Sequence, residues 1–210
     1  MARAFADIAF TPAVQARQEA EGSRSSYARF EQPHIEELNT LGPEEVSFIE
    51  ARDGFFQATV SETGWPYVQF RGGPAGFLKV LNDKTIGYAD FRGNRQYISS
   101  GNLTDNDRVS LILMDYPNRR RLKIWARATQ VSAKDDPELI KRLQPGGYRA
   151  LPERAVLLAV EALDWNCPQH IPQRYTLSEL EPQLDTLRTR IFELEQENAG
   201  LKECLANSTS

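Results

Sequence analysis

Cysteine, histidine and methionine are scarce: the 210-residue chain has two of each. Cys167 and Cys204 lie far apart and in different kinds of segment, which speaks against a disulfide framework. A zinc site needs four protein ligands, or three and a water. His34 and His170 are the only histidines that could join those cysteines, so no metal site is expected. No apolar run approaches the ~20 residues that span a bilayer, so no membrane partner is expected. Asp7 interrupts the short apolar N-terminus, which therefore lacks the core of a secretion signal. A cytoplasmic location follows as the default expectation. Positive charge is not in excess either, since 25 Lys and Arg face 29 Asp and Glu, a net charge of −4. That removes the electrostatic case for nucleic acid. The local cluster Arg119, Arg120, Arg121, Lys123 and Arg127 then reads as a solvated strand face or an anion site. Also missing are a Gly-x-Gly-x-x-Gly turn between strand and helix, a phosphate loop and a Ser-His-Asp triad in recognisable context.

What is present suits one domain with appendages: 40% hydrophobic and 26% charged residues fit a globular chain. Residues 1–46 read as a polar, helical N-terminal segment, with a helix around Val14 to Ala20 broken by Ser23–Ser26. Pro43 followed by Glu44 and Glu45 marks another helix start, running to Arg52–Gly54. From Phe55 the pattern turns to short strands: Phe55–Val60, Pro66–Arg71, Phe77–Leu81, Thr85–Ala89, Val109–Met114 and Leu122–Val131. Turn signals at short spacing join them, which argues for a closed or split barrel over a parallel sheet. Helices are expected at Asn94–Gly101 and Asp135–Leu143. Ala155–Leu163 is ambiguous, because its alanines and leucines favour a helix while its length and place allow a last strand.

The tail, residues 176–210, is a separate device. Leu177, Leu180, Leu184, Leu187, Ile191, Leu194, Asn198, Leu201 and Leu205 follow one another in steps of three and four, an a/d heptad with Asn198 at a. Pro182 is disfavoured deep inside a helix, so the continuous helix is expected to begin near it. The pattern predicts a two-chain coiled coil; the plainer alternative is an amphipathic helix lying on the protein's own barrel.

The chemistry concentrates in Tyr88–Leu103, Tyr-Ala-Asp-Phe-Arg-Gly-Asn-Arg-Gln-Tyr-Ile-Ser-Ser-Gly-Asn-Leu. A strand ending in a polar turn that opens a helix offers free backbone N–H groups at a positive dipole end. Two arginines beside it, Arg92 and Arg95, make a seat for a dianionic phosphate; the plain alternative is a polar turn with solvated arginines. A second crowded stretch is Trp165-Asn-Cys-Pro-Gln-His-Ile-Pro172, stiffened by two prolines. There Asn166 and His170 can donate to a ligand, and Cys167 three residues before His170 is a conceivable thiolate pair.

Together with Pro66–Gly73, Arg108–Asp115 and Arg119–Trp125, these segments resemble the FMN-binding split-barrel family related to pyridoxamine 5'-phosphate oxidase, over roughly Phe48 to Gln173. The resemblance implies a mainly β fold with helices, a split β-barrel over residues 47–175 in which Ala155–Leu163 is the final strand, and FMN as cofactor. It places the flavin phosphate at Asn94 and Arg95, with Asn94 standing where a second basic residue is common and Arg92 or Arg121 as the substitute. It sets the ring along Gln69, Phe70, Arg71 and Gly72, with Tyr88, Ala89, Asp90 and Phe91 bordering the other side. It adds Arg121 near the flavin, and Asn166 and His170 from the loop after the last strand. It further implies a homodimer with flavin at the subunit interface, and oxidoreductase chemistry between FMN and a small redox-active molecule, with reduced nicotinamide as a possible donor. True pyridoxamine phosphate oxidation is not expected, because the Arg-rich C-terminal substrate motif is replaced by the heptad tail. The alternative function is a non-catalytic flavin- or tetrapyrrole-binding sensor or carrier with a coiled-coil partner surface.

Overall fold

The computed structural model describes residues 3–35, 37, 39–165 and 168–208. Its centre is a seven-stranded, wholly antiparallel sheet: β1 (Gly54–Val60), β2 (Pro66–Gly72), β3 (Lys79–Asn82), β4 (Thr85–Phe91), β5 (Arg108–Asp115), β6 (Arg120–Ser132) and β7 (Pro152–Trp165). The spatial order is β2-β1-β5-β6-β7-β4-β3. Around it lie α1 (Arg3–Ala9), α2 (Pro12–Ala20), α3 (Arg24–Ala28), α4 (Pro43–Glu50), α5 (Ile98–Asp105) and α6 (Pro137–Leu143). The fold is mainly β with helices, as a split barrel requires.

Strict alternation builds the interior. β5 alternates buried and part-exposed residues along its length, so Val109, Leu111 and Leu113 face inward. They meet Phe55, Phe77, Ile86, Leu122, Ile124 and Leu158 in one cluster. Each such side chain contributes roughly 1.5–3 kcal/mol through apolar area removed from water. Phe55 stacks on Phe77 at 5.8 Å and meets Tyr88 edge-on at 5.4 Å.

Residues 155–163 are strand, and β7 extends beyond them at both ends. It pairs with β6 on one side and β4 on the other. Two complete ladders outweigh a helix propensity worth a few tenths of a kcal/mol per residue. Small Ala155 and Ala162, both fully buried, let the neighbouring layers close over it. The third strand starts at Lys79, not Phe77, because the Phe77 N–H turns back to Pro74 O at 3.0 Å.

The α5 helix begins at Ile98 rather than Asn94, a correction with a local cause. Asn94 Oδ1 accepts the Gln96 N–H at 3.1 Å, forming a side-chain turn. Arg95 and Tyr97 hold φ of 63° and 53°. Left-handed residues cannot continue a right-handed helix, so the helix starts only after Tyr97.

The chain divides into two compact units, one within 1–115 and 119–171, the other comprising 116–118 and 172–210. In the first, α1 packs on the barrel: Phe5 stacks on Trp125 with ring centroids 4.4 Å apart and 3° between planes. The second carries the long helix α7 (Leu177–Ser208). It starts five residues before Pro182, earlier than the proline alone suggests. Thr176 and Glu179 explain this: the Thr176 N–H donates to Glu179 Oε2 at 2.7 Å, and the Glu179 N–H donates to Thr176 Oγ1 at 3.3 Å. This capping box fixes the helix start, and Pro182 is tolerated inside the second turn. Among the described residues, no helix is long and apolar enough to cross a membrane.

Candidate functional site

The two ends of the sheet come together without a ladder. β2 is one edge, and β4 lies next to the other. Side chains close the gap: Arg71 on β2 donates to Asp90 Oδ1 on β4 at 2.5 Å, and Arg154 on β7 donates to Asp90 Oδ2 at 2.8 Å. Asp90 is only 6% exposed, so both cations compensate a buried charge. Arg71 also sits 5.7 Å from the Tyr88 ring centroid.

A cavity of about 240 Å³ opens along this seam. Gln69 and Arg71 form one wall, Asp90 and Phe91 another, and residues 93–100 the rim. Helix α5 fixes that rim. Ser99 Oγ donates to Gln69 Oε1 at 2.8 Å, Ser100 Oγ to Gln130 Oε1 at 2.6 Å, and Asn102 Nδ2 to Thr59 Oγ1 at 3.0 Å. Three strands thus anchor one short helix whose first residues, Ile98 to Ser100, border the cavity. Its cap, Tyr97, gives no side-chain hydrogen bond to the helix itself, its hydroxyl donating to Glu153 Oε1 at 3.3 Å instead, so first-turn N–H groups remain for a ligand. A second hollow of about 250 Å³ adjoins the first across Arg71, Asp90, Phe91 and Gly93. Phe70, Gly72, Tyr88 and Ala89 line it.

The structure therefore gathers ten sequence-predicted positions along one seam. Gln69, Asn94 and Arg95 line the first hollow; Phe70, Gly72, Tyr88 and Ala89 line the second; Arg71, Asp90 and Phe91 line both. Their roles differ in detail. Tyr88 and Ala89 are core residues, 1% and 2% exposed. Gly72 leaves room for Phe70, whose ring would lie 2.8 Å from a Cβ placed there and would have to shift. Arg92 also lines the second hollow, and there it donates to Glu153 Oε1 at 2.9 Å. That contact holds the Glu153 carboxyl below its ordinary range. Glu153 and Arg154 complete the wall and escaped sequence reading, because β7 starts at Pro152, earlier than its apolar run suggests.

Arg121 and His170 lie elsewhere in the chain. Arg121 stands beside Leu122, which pairs with Trp165 at the far end of β7 from Arg154. Roughly 35 Å of strand, at ~3.3 Å per residue, separates Arg154 from Trp165. His170 follows that end with φ of 64°. Asn166 and Cys167 lie outside the described residues. Arg71 Nε and Arg121 Nε are both buried and without a hydrogen-bond partner among the described residues. Unpaired buried guanidinium nitrogens are costly and suit an anionic or carbonyl-rich ligand.

Behind the seam, the Tyr88 hydroxyl donates to Gln57 Oε1 at 2.8 Å. Burial raises the phenol well above its ordinary value, so it remains neutral. Tyr88→Phe is expected to cost about 1–3 kcal/mol in urea unfolding, whereas Tyr88→Phe with Gln57→Leu recovers most of it, since removing both partners leaves no orphan. A double variant that merely sums the two single losses would show that the pair is not coupled.

A family model described as pyridoxamine 5'-phosphate oxidase matches residues 41–163. No curated protein matches the chain. Among solved structures, a putative pyridoxamine 5'-phosphate oxidase from Lactobacillus delbrueckii is 22% identical with a TM-score of 0.47, over 60% of this chain and 94% of that one. An FMN-binding protein from Syntrophomonas wolfei is 10% identical with a TM-score of 0.46, over 71% and 97%. HutZ, the heme storage protein from Vibrio cholerae, is 20% identical with a TM-score of 0.36, over 59% and 93%.

Proposed function

Because this chain belongs to the pyridoxamine 5'-phosphate oxidase family, we propose that the seam between β2 and β4 binds FMN and that the protein is an FMN-dependent oxidoreductase acting on a small redox-active molecule. The observation that carries the reading is the seam itself. A left-handed turn bearing Arg95, an uncapped helix start, and Arg71 with an unpaired buried Nε converge on one polar hollow. Those donors suit a phosphate at one end and ring carbonyls at the other.

Proteins of this family commonly dimerise. The hollow, about 240 Å³, is smaller than the ~300–1,000 Å³ typical of small-molecule sites. Arg121 and His170 stand at the other end of β7. Both facts support a site completed by a second subunit, in which one protomer gives the seam and its partner gives the far end. When bound, FMN would supply the hydride or electron chemistry. The chain's own residues would then hold and orient it: Arg95 and the first turn of α5 at the phosphate, Gln69 and Arg71 at the ring edge.

The test is the visible spectrum of the purified protein, with the supernatant after denaturation compared with FMN and FAD standards. About one FMN released per chain is expected. A colourless protein that does not take up added FMN would overturn the reading. A second reading, flavin binding without turnover, is favoured by one observation: both carboxylates in the wall, Asp90 and Glu153, are committed to arginines. Steady-state oxidation of reduced nicotinamide with added acceptors separates the two.

A further inference from the structure

Helix α7 presents an unusually regular seam. The a positions are Leu177, Leu184, Ile191, Asn198 and Leu205; the d positions include Leu180, Leu187, Leu194 and Leu201. Because the capping box moves the helix start to Leu177, the seam gains a heptad over what Pro182 alone would allow, and reaches ~43 Å at 1.5 Å per residue. Leu187, Ile191 and Leu201 are 59%, 56% and 65% exposed within one chain. A helix with an apolar stripe at 3.5-residue spacing buries it against another such helix.

We propose that α7 pairs with α7 of a second copy as a parallel, in-register, two-stranded coiled coil. Charge alone does not set the direction. In the parallel register, Arg190 at g meets Glu195 at e of the partner helix, and Glu197 meets Lys202. An antiparallel register centred near Phe192 would also be complementary, bringing Arg190 to Glu197 and Arg188 to Glu195. Asn198 decides between them. In the parallel register the two Asn198 amides face each other and satisfy one another's hydrogen bonds. In the antiparallel register each faces Leu187, burying an amide with no partner. An a-position Asn pair also favours two strands over three or four. Within one helix Arg190 donates to Glu193 Oε2 at 3.0 Å, an exposed contact that exchanges readily for Glu195 across the pair.

The test uses the full-length protein with Cys167→Ser and Cys204→Ser as background. Leu201→Cys is added, followed by mild oxidation and a non-reducing denaturing gel, which dissolves any dimer made by the barrel alone. The expected result is a covalent dimer in most of the protein, reversed by reductant, with Gln196→Cys on the outer face giving little. In the antiparallel register Leu201 faces Leu184, and the single variant stays monomeric on the gel. Absence of the Leu201→Cys cross-link, or equal cross-linking through Gln196→Cys, would overturn the proposal. Bound flavin in the same samples reports the barrel site independently, so an unfolded barrel and an unpaired tail give different results.

Discussion

Asp90→Ala is expected to lower the thermal midpoint by on the order of 10 °C. Asp90 is 6% exposed and carries two guanidinium groups, Arg71 at 2.5 Å and Arg154 at 2.8 Å. Removing the acid leaves two like charges facing each other in a poorly solvated seam. Breaking a buried pair from one side costs about 3–5 kcal/mol, and a chain of this size loses roughly 2–4 °C per kcal/mol. The loss has a structural reason beyond the pair itself: β2 and β4 share no ladder, and this network bridges them. Asp90→Asn keeps the shape and an acceptor but not the charge, so it should fall between wild type and alanine. Added FMN should restore part of the loss in either variant, because a bound anion stabilises the folded state by mass action. A drop below about 2 °C, read by calorimetry, would show that the seam is held by packing and not by these charges.

Much of this arrangement was readable from residues. The strand over Val109–Met114 was read as a strand, and the polar turn after β4 marked the cavity rim. What escaped was set by competition between local and long-range terms. β7 was locally ambiguous because Ala and Leu serve helices, and only its two ladders decide it. Its first residues, Pro152, Glu153 and Arg154, were hidden because a proline and two polar residues precede the apolar run. The start of α5 was masked by Arg95 and Tyr97, since neither residue type announces a left-handed conformation. The start of α7 was readable in principle: Thr176 and Glu179 have capping-box spacing, but Pro182 was the louder signal. Arg121 and His170 could not be placed by sequence at all. Their position relative to the seam depends on strand length and register, and on whether a second subunit supplies them.

Arg95→Gly should separate binding from folding more cleanly than any other change at the rim. Arg95 holds φ of 63°, a conformation that costs an L-residue roughly 1–2 kcal/mol and glycine almost nothing. Glycine gives back about 0.4–1 kcal/mol through the freer unfolded chain, so the melting temperature should stay level or rise slightly. Flavin affinity should move the other way. A charge-assisted hydrogen bond to phosphate is worth about 1.5–3 kcal/mol, so the Kd for FMN should rise roughly ten- to a hundred-fold. Riboflavin, which has the same ring and no phosphate, should bind the variant and the wild type alike. The FMN effect should also shrink as salt rises, because Arg95 is exposed and its field is screened within about 10 Å. If FMN and riboflavin weaken together, Arg95 acts on the ring or on the turn as a whole. If FMN binding is unchanged, the phosphate lies elsewhere, and the first turn of α5 with Arg71 and Arg154 would have to hold it without this turn. The backbone strain at residue 95 would then lack the ligand that gives it a purpose, since left-handed residues at a cavity rim persist where the surrounding structure and its function hold them there.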